Sequence, residues 1–126
     1  MENQSKTLIE RYIQAYNAFD VEGMLSGLHH EVIFENQSNG ETTLSTKGIE
    51  QFKTQAEAAL QYFTERQQQI ESWEFNDQSI LVNIDYKAVL AIDFPNGMKA
   101  GDALEMKGSS EFQFSDGKII KIIDRS

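Results

Sequence analysis

Chemistry has few places to sit in this chain. It has no cysteine and two histidines, against twenty acidic and eleven basic side chains, for a formal charge of −9. Without thiols there is no disulfide, no thiolate nucleophile and no cysteine-based zinc site. His29 and His30 adjoin at a helix-to-strand junction, poorly arranged to grip one ion together. One of them could act as a general base near neutral pH, the alternative being a structural or exposed role. No phosphate-cradling glycine loop and no metal-ligand spacing occurs, so neither metal nor cofactor is expected. Trp73, Phe75, Met98, Met106 and Phe112 could wall a pocket for an apolar ligand, the alternative being plain core. Asp102, Glu105 and Glu111 read as solvated strand or turn charges.

The elements that must position these residues follow from periodicity. Leu8, Ile9, Tyr12, Ile13, Tyr16 and Phe19 recur at helical spacing and predict a first helix from about Ser5 to Ala18. Asp20 is placed to cap a second, short helix carrying Met24, Leu25 and Leu28. A strand ending Val32-Ile33-Phe34-Glu35-Asn36 follows, then a turn at residues 37–40 and a short strand over 42–47. From Gly48 the helical period returns through Ile49, Phe52, Ala56, Ala59, Leu60 and Phe63, predicting a third helix with Thr46 as N-cap and an end near Tyr62. Everything after Thr64 reads as antiparallel strands: 66–75, 79–92, a strand carrying Leu104 to Phe114, and a last strand over 118–124. Ile119, Ile120, Ile122 and Ile123 place apolar residues on both faces of that last strand, which predicts a homodimer through the outer sheet face.

Length and composition bound the reading further. The 126 residues fit one domain, 40% apolar and 25% charged, with no repeat or linker. The acidic balance opposes nucleic acid and anionic membranes as partners, since Lys and Arg are scattered singly. The first six residues lack a secretory pattern and no stretch approaches the ~20 apolar residues of a bilayer span, so a cytoplasmic location is expected.

The order helix, helix, strand, helix, then strands, together with Tyr12-Ile13-Gln14-Ala15-Tyr16-Asn17-Ala18-Phe19-Asp20, Thr46-Lys47-Gly48-Ile49-Glu50-Gln51-Phe52 and Phe112-Gln113-Phe114-Ser115-Asp116-Gly117-Lys118-Ile119, resembles the nuclear transport factor 2-like superfamily. Within it, the resemblance is to SnoaL-like, ketosteroid isomerase-like and limonene epoxide hydrolase-like proteins. It covers nearly the whole chain. It implies an α+β, cone-shaped fold with three N-terminal helices on a strongly curved, mostly antiparallel sheet, the cystatin-like α+β roll, open at one end and able to hold a small hydrophobic molecule.

The resemblance also suggests roles. Where ketosteroid isomerase-like enzymes carry a proton-shuttling carboxylate this chain has Asn36, which cannot take a proton near neutral pH, and their second acid falls on Ser110; only Tyr12 matches. Against limonene epoxide hydrolase-like enzymes, Asn36 matches, Asp124 resembles the water-activating acid and Asp85 the proton donor, while Asn83 stands in place of an arginine and Phe34 in place of a tyrosine. The carry-over thus gives Asp124, Asp85, Asn36 and Tyr12 as catalytic candidates, with Tyr16, Phe34, Trp73, Met106, Ser110 and Phe112 lining a ligand site. Two carboxylates in one apolar cone would have split pKa values, the better-buried acid being raised toward neutrality. Period-two parity sets Asp85 opposite Ile84 and Tyr86, so its facing stays open. Two functions follow: a small-molecule-binding module, or a cofactor-free acid–base enzyme of the epoxide hydrolase, cyclase, dehydratase or isomerase type.

Overall fold

The computed structural model describes residues 2–126. Helix α1 (Glu2–Asn17) and helix α2 (Val21–Leu25) precede strands β1 (Leu28–Ser38) and β2 (Glu41–Lys47); helix α3 (Ile49–Ala59), with a 3-10 turn at Leu60–Tyr62, then leads into β3 (Phe63–Phe75), β4 (Ser79–Leu90), β5 (Ala103–Ser115) and β6 (Lys118–Arg125). The six strands form one curved, unclosed sheet in the order β2-β1-β6-β5-β4-β3, antiparallel except where β6 lies parallel to β1. The expected α+β class and element order hold. No helix among the described residues is long and apolar enough to cross a membrane.

The helices cover one face of the sheet. Ile9, Tyr12 and Ile13 of α1 and Phe52 and Ala56 of α3 bury against Val82, Ile84, Phe112 and Ile122 of the strands. Asp20 caps α2 as expected, its carboxylate accepting the Gly23 amide at 3.0 Å. The third helix differs from expectation at its start. Its N-cap is Gly48, at φ +87°, while Thr46 ends inside β2 with its buried hydroxyl unpartnered. A positive φ at this junction suits glycine, so the turn and not a hydroxyl cap sets where the helix begins.

The end of α1 is fixed by backbone and side chain together. The Phe19 amide donates to Tyr16 O (3.1 Å) and the Asp20 amide to Ala15 O (2.9 Å), the paired bonds of a Schellman termination, with Phe19 itself at φ +60°. A left-handed phenylalanine is unfavourable by about 1 kcal/mol. What holds it is contact with β3: the Arg66 guanidinium lies 4.6 Å from the Phe19 ring centroid. Asn17 adds a ladder-like pair, donating to Gln68 O (3.1 Å) and accepting from Gln68 N (2.7 Å).

Two bulges decide which side chains face the helices. In β3 the pairing passes from Ile70 opposite Ile84 to Ser72 opposite Asn83, so Arg66, Gln68, Ile70, Trp73 and Phe75 share the inner face across a parity change at Glu71. In β6 the register shifts between Gln113 and Phe114 and leaves Ile120 as the extra residue, turning both Ile119 and Ile122 inward, each fully buried. Ile123 points outward, between the Lys121–Glu35 (3.9 Å) and Arg125–Glu111 (2.9 Å) ion pairs. Two of the four isoleucines expected to mark a dimer face are therefore accounted for by a bulge.

Ile122→Ala should cost about 2–5 kcal/mol through a core cavity, and Ile120→Ala less than half as much. Urea denaturation midpoints of the two variants check the assignment; equal losses would contradict the bulge.

Candidate functional site

One rung across the sheet carries the polar residues of the inner face. Leu44 of β2 stands opposite Asn36 of β1, Asn36 opposite Asp124 of β6, Asp124 opposite Ser110 of β5, and Ser110 opposite Val82 of β4. Inner-face parity is what brings them together: Asn36 follows Phe34 by two residues, Ser110 precedes Phe112 by two, and Asp124 follows Ile122 by two. The Ser110 hydroxyl donates to the Asp124 carboxylate at 2.6 Å. The Asn36 carboxamide donates to the Thr43 hydroxyl at 3.3 Å, and that hydroxyl donates to Asn36 O.

Above the rung sit three tyrosines. Tyr12, buried, meets the Phe112 ring edge-on at 5.9 Å, and the Tyr16 and Tyr86 hydroxyls hydrogen-bond at 2.9 Å. Burial raises the Tyr12 phenol well above its usual pKa, and the Asp124 charge raises it further. Tyr16 and Tyr86 are raised as well, first by burial. All three are neutral donors at physiological pH. Among the described residues Asp124 is the one carboxyl so affected: burial pushes it up to about 6, against the lowering effect of the Ser110 hydrogen bond. An acid at that value exchanges its proton near neutrality, which suits general acid–base work.

Two adjoining hollows open on this group. The first, about 200 Å³, is bordered by Tyr12, Phe34, Phe52, Ala56 and Arg66; the second, about 290 Å³, by Ile84, Tyr86, Met106, Gly108 and Ser110; Tyr16, Asn36 and Asp124 border both. Joined, they reach the lower part of the size range of small-molecule sites. A larger hollow of about 690 Å³ lies beyond Arg66, toward Phe19 and Leu104, and neither Asp124 nor Tyr12 borders it. We centre the site on the two smaller hollows, where the perturbed acid lies.

Of the residues expected at a site, Asp124, Asn36, Tyr12, Tyr16, Phe34, Met106 and Ser110 all border these hollows. Asp85 does not. It alternates with Ile84 and Tyr86, pairs across the ladder with Lys107 and Gln69, and so lies on the outer face, as its parity in the strand implies. Trp73 and Phe112 border neither hollow. Trp73 packs against the core edge, stacked on Phe75 at 6.0 Å, with the Lys6 ammonium 5.1 Å from its ring; Phe112 is fully buried behind Tyr12.

The histidines are remote from the hollows as well. His29 Nδ1 accepts the Glu31 amide at 3.0 Å, its Nε2 lies 3.5 Å from Asp116, and its ring stacks on His30 at 4.3 Å. That Nδ1 is thereby occupied by the backbone. Sequence reasoning missed Arg66 and Tyr86. Tyr86 shares the parity of Ile80, Val82 and Ile84 and could have been taken from that pattern. Arg66 could be found only by pairing it with Ala88 in register, a step that needs the partner strand.

With this geometry established, comparisons with known proteins are consistent. Solved structures of similar fold include a protein from Xanthomonas campestris pv. campestris assigned as a polyketide cyclase (TM-score 0.84, 18% identity, covering 98% of this chain and 90% of that one). A Jannaschia sp. CCS1 protein assigned as a SnoaL-like polyketide cyclase follows (0.80, 14%, 97% and 84%). A Catenulispora acidiphila protein of ketosteroid isomerase-like fold, in complex with trimethylamine, is similar too (0.76, 8%, 93% and 82%). At these identities the likeness is one of fold. No curated protein matches the sequence significantly. The model of the SnoaL-like domain matches residues 9–122, and by that match the chain belongs to the SnoaL-like domain family.

Proposed function

We propose that the protein binds a small, flat, mostly apolar molecule between its helices and sheet and that Asp124 moves a proton on it, without a cofactor. The observation that carries this reading is a single carboxyl, pushed up to about 6 by burial, bordering both hollows. In its ionised form Asp124 would remove a proton from an acidic C–H or a water; Tyr12 and Asn36 would orient the substrate oxygen, as neutral hydrogen-bond donors do. Proteins of similar fold assigned as polyketide cyclases favour proton abstraction beside a carbonyl over epoxide opening, for a further reason on the sheet itself. The second acid that epoxide opening would need, Asp85, is on the outer face. A binding module without turnover is the second reading, favoured by the absence of a carboxylate partner for Asp124 among the described residues.

A generic probe separates the two. In 5-nitrobenzisoxazole a base takes the C3 proton, the N–O bond opens and a coloured cyanophenolate forms, one proton leaving and one bond breaking. The rate with the protein should rise about tenfold per pH unit below 6 and level off above it, because only ionised Asp124 is a base. Asp124→Asn should lower it by about 10²–10⁴. An unchanged rate in that variant would leave binding alone.

Ser110→Ala removes the hydroxyl that donates to the carboxylate and lowers its pKa. The midpoint of the pH–rate curve, and of the Asp124 carboxyl ¹³C titration, should therefore move above 6.

Stability follows by linkage. The folded pKa of about 6 exceeds the reference value of 3.8, so the contribution of Asp124 is fully present below pH 3.8 and is lost as pH rises through 6. By pH 8 that loss is on the order of 3 kcal/mol. Asp124→Asn, which carries no charge, should be more stable than the parent at pH 8 and lose the advantage at pH 4, as read from thermal unfolding midpoints.

A further inference from the structure

Arg66 is a cation in the wrong place for a surface salt bridge. It is 6% exposed, the only lysine or arginine among the buried residues, in a chain of net charge −9. No carboxylate pairs with it among the described residues. Its Nε donates to Tyr16 O at 2.8 Å, its guanidinium carbon sits 3.7 Å from the Tyr16 ring centroid, and its Nη2 is buried with no hydrogen-bond partner. Arg66 borders both the 200 Å³ hollow on which Asp124 also opens and the 690 Å³ hollow on its other side.

Support of the α1 end accounts for Nε and for the ring contacts. It does not account for Nη2, since an unpaired guanidinium N–H in the interior is costly and a helix terminus is satisfied by one donor. A methionine or leucine would pack against Tyr16 and Phe19 without that cost. Planar guanidinium groups with free N–H edges match carboxylates and other delocalised oxyanions. The remaining wall of the hollow, with Tyr12, Phe34 and Phe52, suits an aromatic body.

The geometry points to Arg66 as an anion seat, so that the ligand of this hollow is an aromatic molecule bearing a carboxylate or an equally acidic enolate oxygen. This rests on the binding reading above and specifies its substrate class. Arg66 would hold the anionic end while Asp124 faces the other. A ligand of like charge to the protein also needs such a local cation, because the long-range field of an acidic protein opposes its approach.

The test uses 1-naphthoate and its neutral isostere 1-naphthamide, titrated into the intact protein at pH 7.5 by calorimetry. Naphthoate should bind at least tenfold more tightly than the amide, and Arg66→Gln should remove that preference. Because Arg66→Gln could loosen the end of α1, the unmodified protein supplies a second readout: the Arg66 Nε resonance should shift on adding naphthoate and stay in place with naphthamide. Equal binding of the two probes, or an unmoved Arg66 resonance, overturns the anion seat and leaves the hollow as a binding site. Binding of neither probe overturns both readings.

Discussion

The structure depends on holding an acid and a guanidinium on the same apolar face of one sheet without letting them neutralise each other. Asp124 and Arg66 both border the hollow under α1, yet no ion pair joins them, and Tyr12, Tyr16 and Tyr86 feel the charges of both. Had the two met, the acid would be lowered and fixed as a carboxylate, and the cation would be spent. Separated by phenols, the acid titrates near 6 and the cation stays without a carboxylate partner among the described residues. The tyrosines are thus a spacer as much as a wall.

That separation is maintained by the way α1 ends. A left-handed Phe19, the Asn17 carboxamide on the Gln68 backbone and the Arg66 contact with Tyr16 O bind the last turn of the helix to β3. The same carbonyl that terminates the helix orients the guanidinium. Position, strain and charge are therefore set by one short junction, and a residue-level change there would act on the hollow through the angle of Arg66 before it acted on the core.

Much of this architecture was legible in the residues. The helical period of Leu8 to Phe19, the Asp20 cap and the alternation of Ile80 to Tyr86 are local signals, and a helix, a capped helix and a strand lie there, although α1 begins at Glu2 and Leu28, expected on α2, opens β1 instead. Parity bore on Asp85 but left its facing open, and the ladder pairing with Lys107 and Gln69 places it on the outer face. The bulges at Glu71 and Ile120 were not legible, because a one-residue shift leaves composition unchanged and shows only against a partner strand. For that reason Ile119 with Ile122 reads as two-sided burial, and the shared face of Arg66, Trp73 and Phe75 does not show in the sequence. Thr46 shows the same limit at a junction: its type fits a cap, but the backbone turned at Gly48.

The sheet order has a consequence for biosynthesis. β6 lies between β1 and β5, so the β2-β1 pair and the β5-β4-β3 block are joined only through it. Until the ribosome has delivered this stretch, the emerging polypeptide carries two separate ribbons with unsatisfied margins, the kind of species that chaperones retain. The acidic group travels on that keystone strand. A nascent molecule therefore acquires this buried carboxyl in the same event that seals its halves.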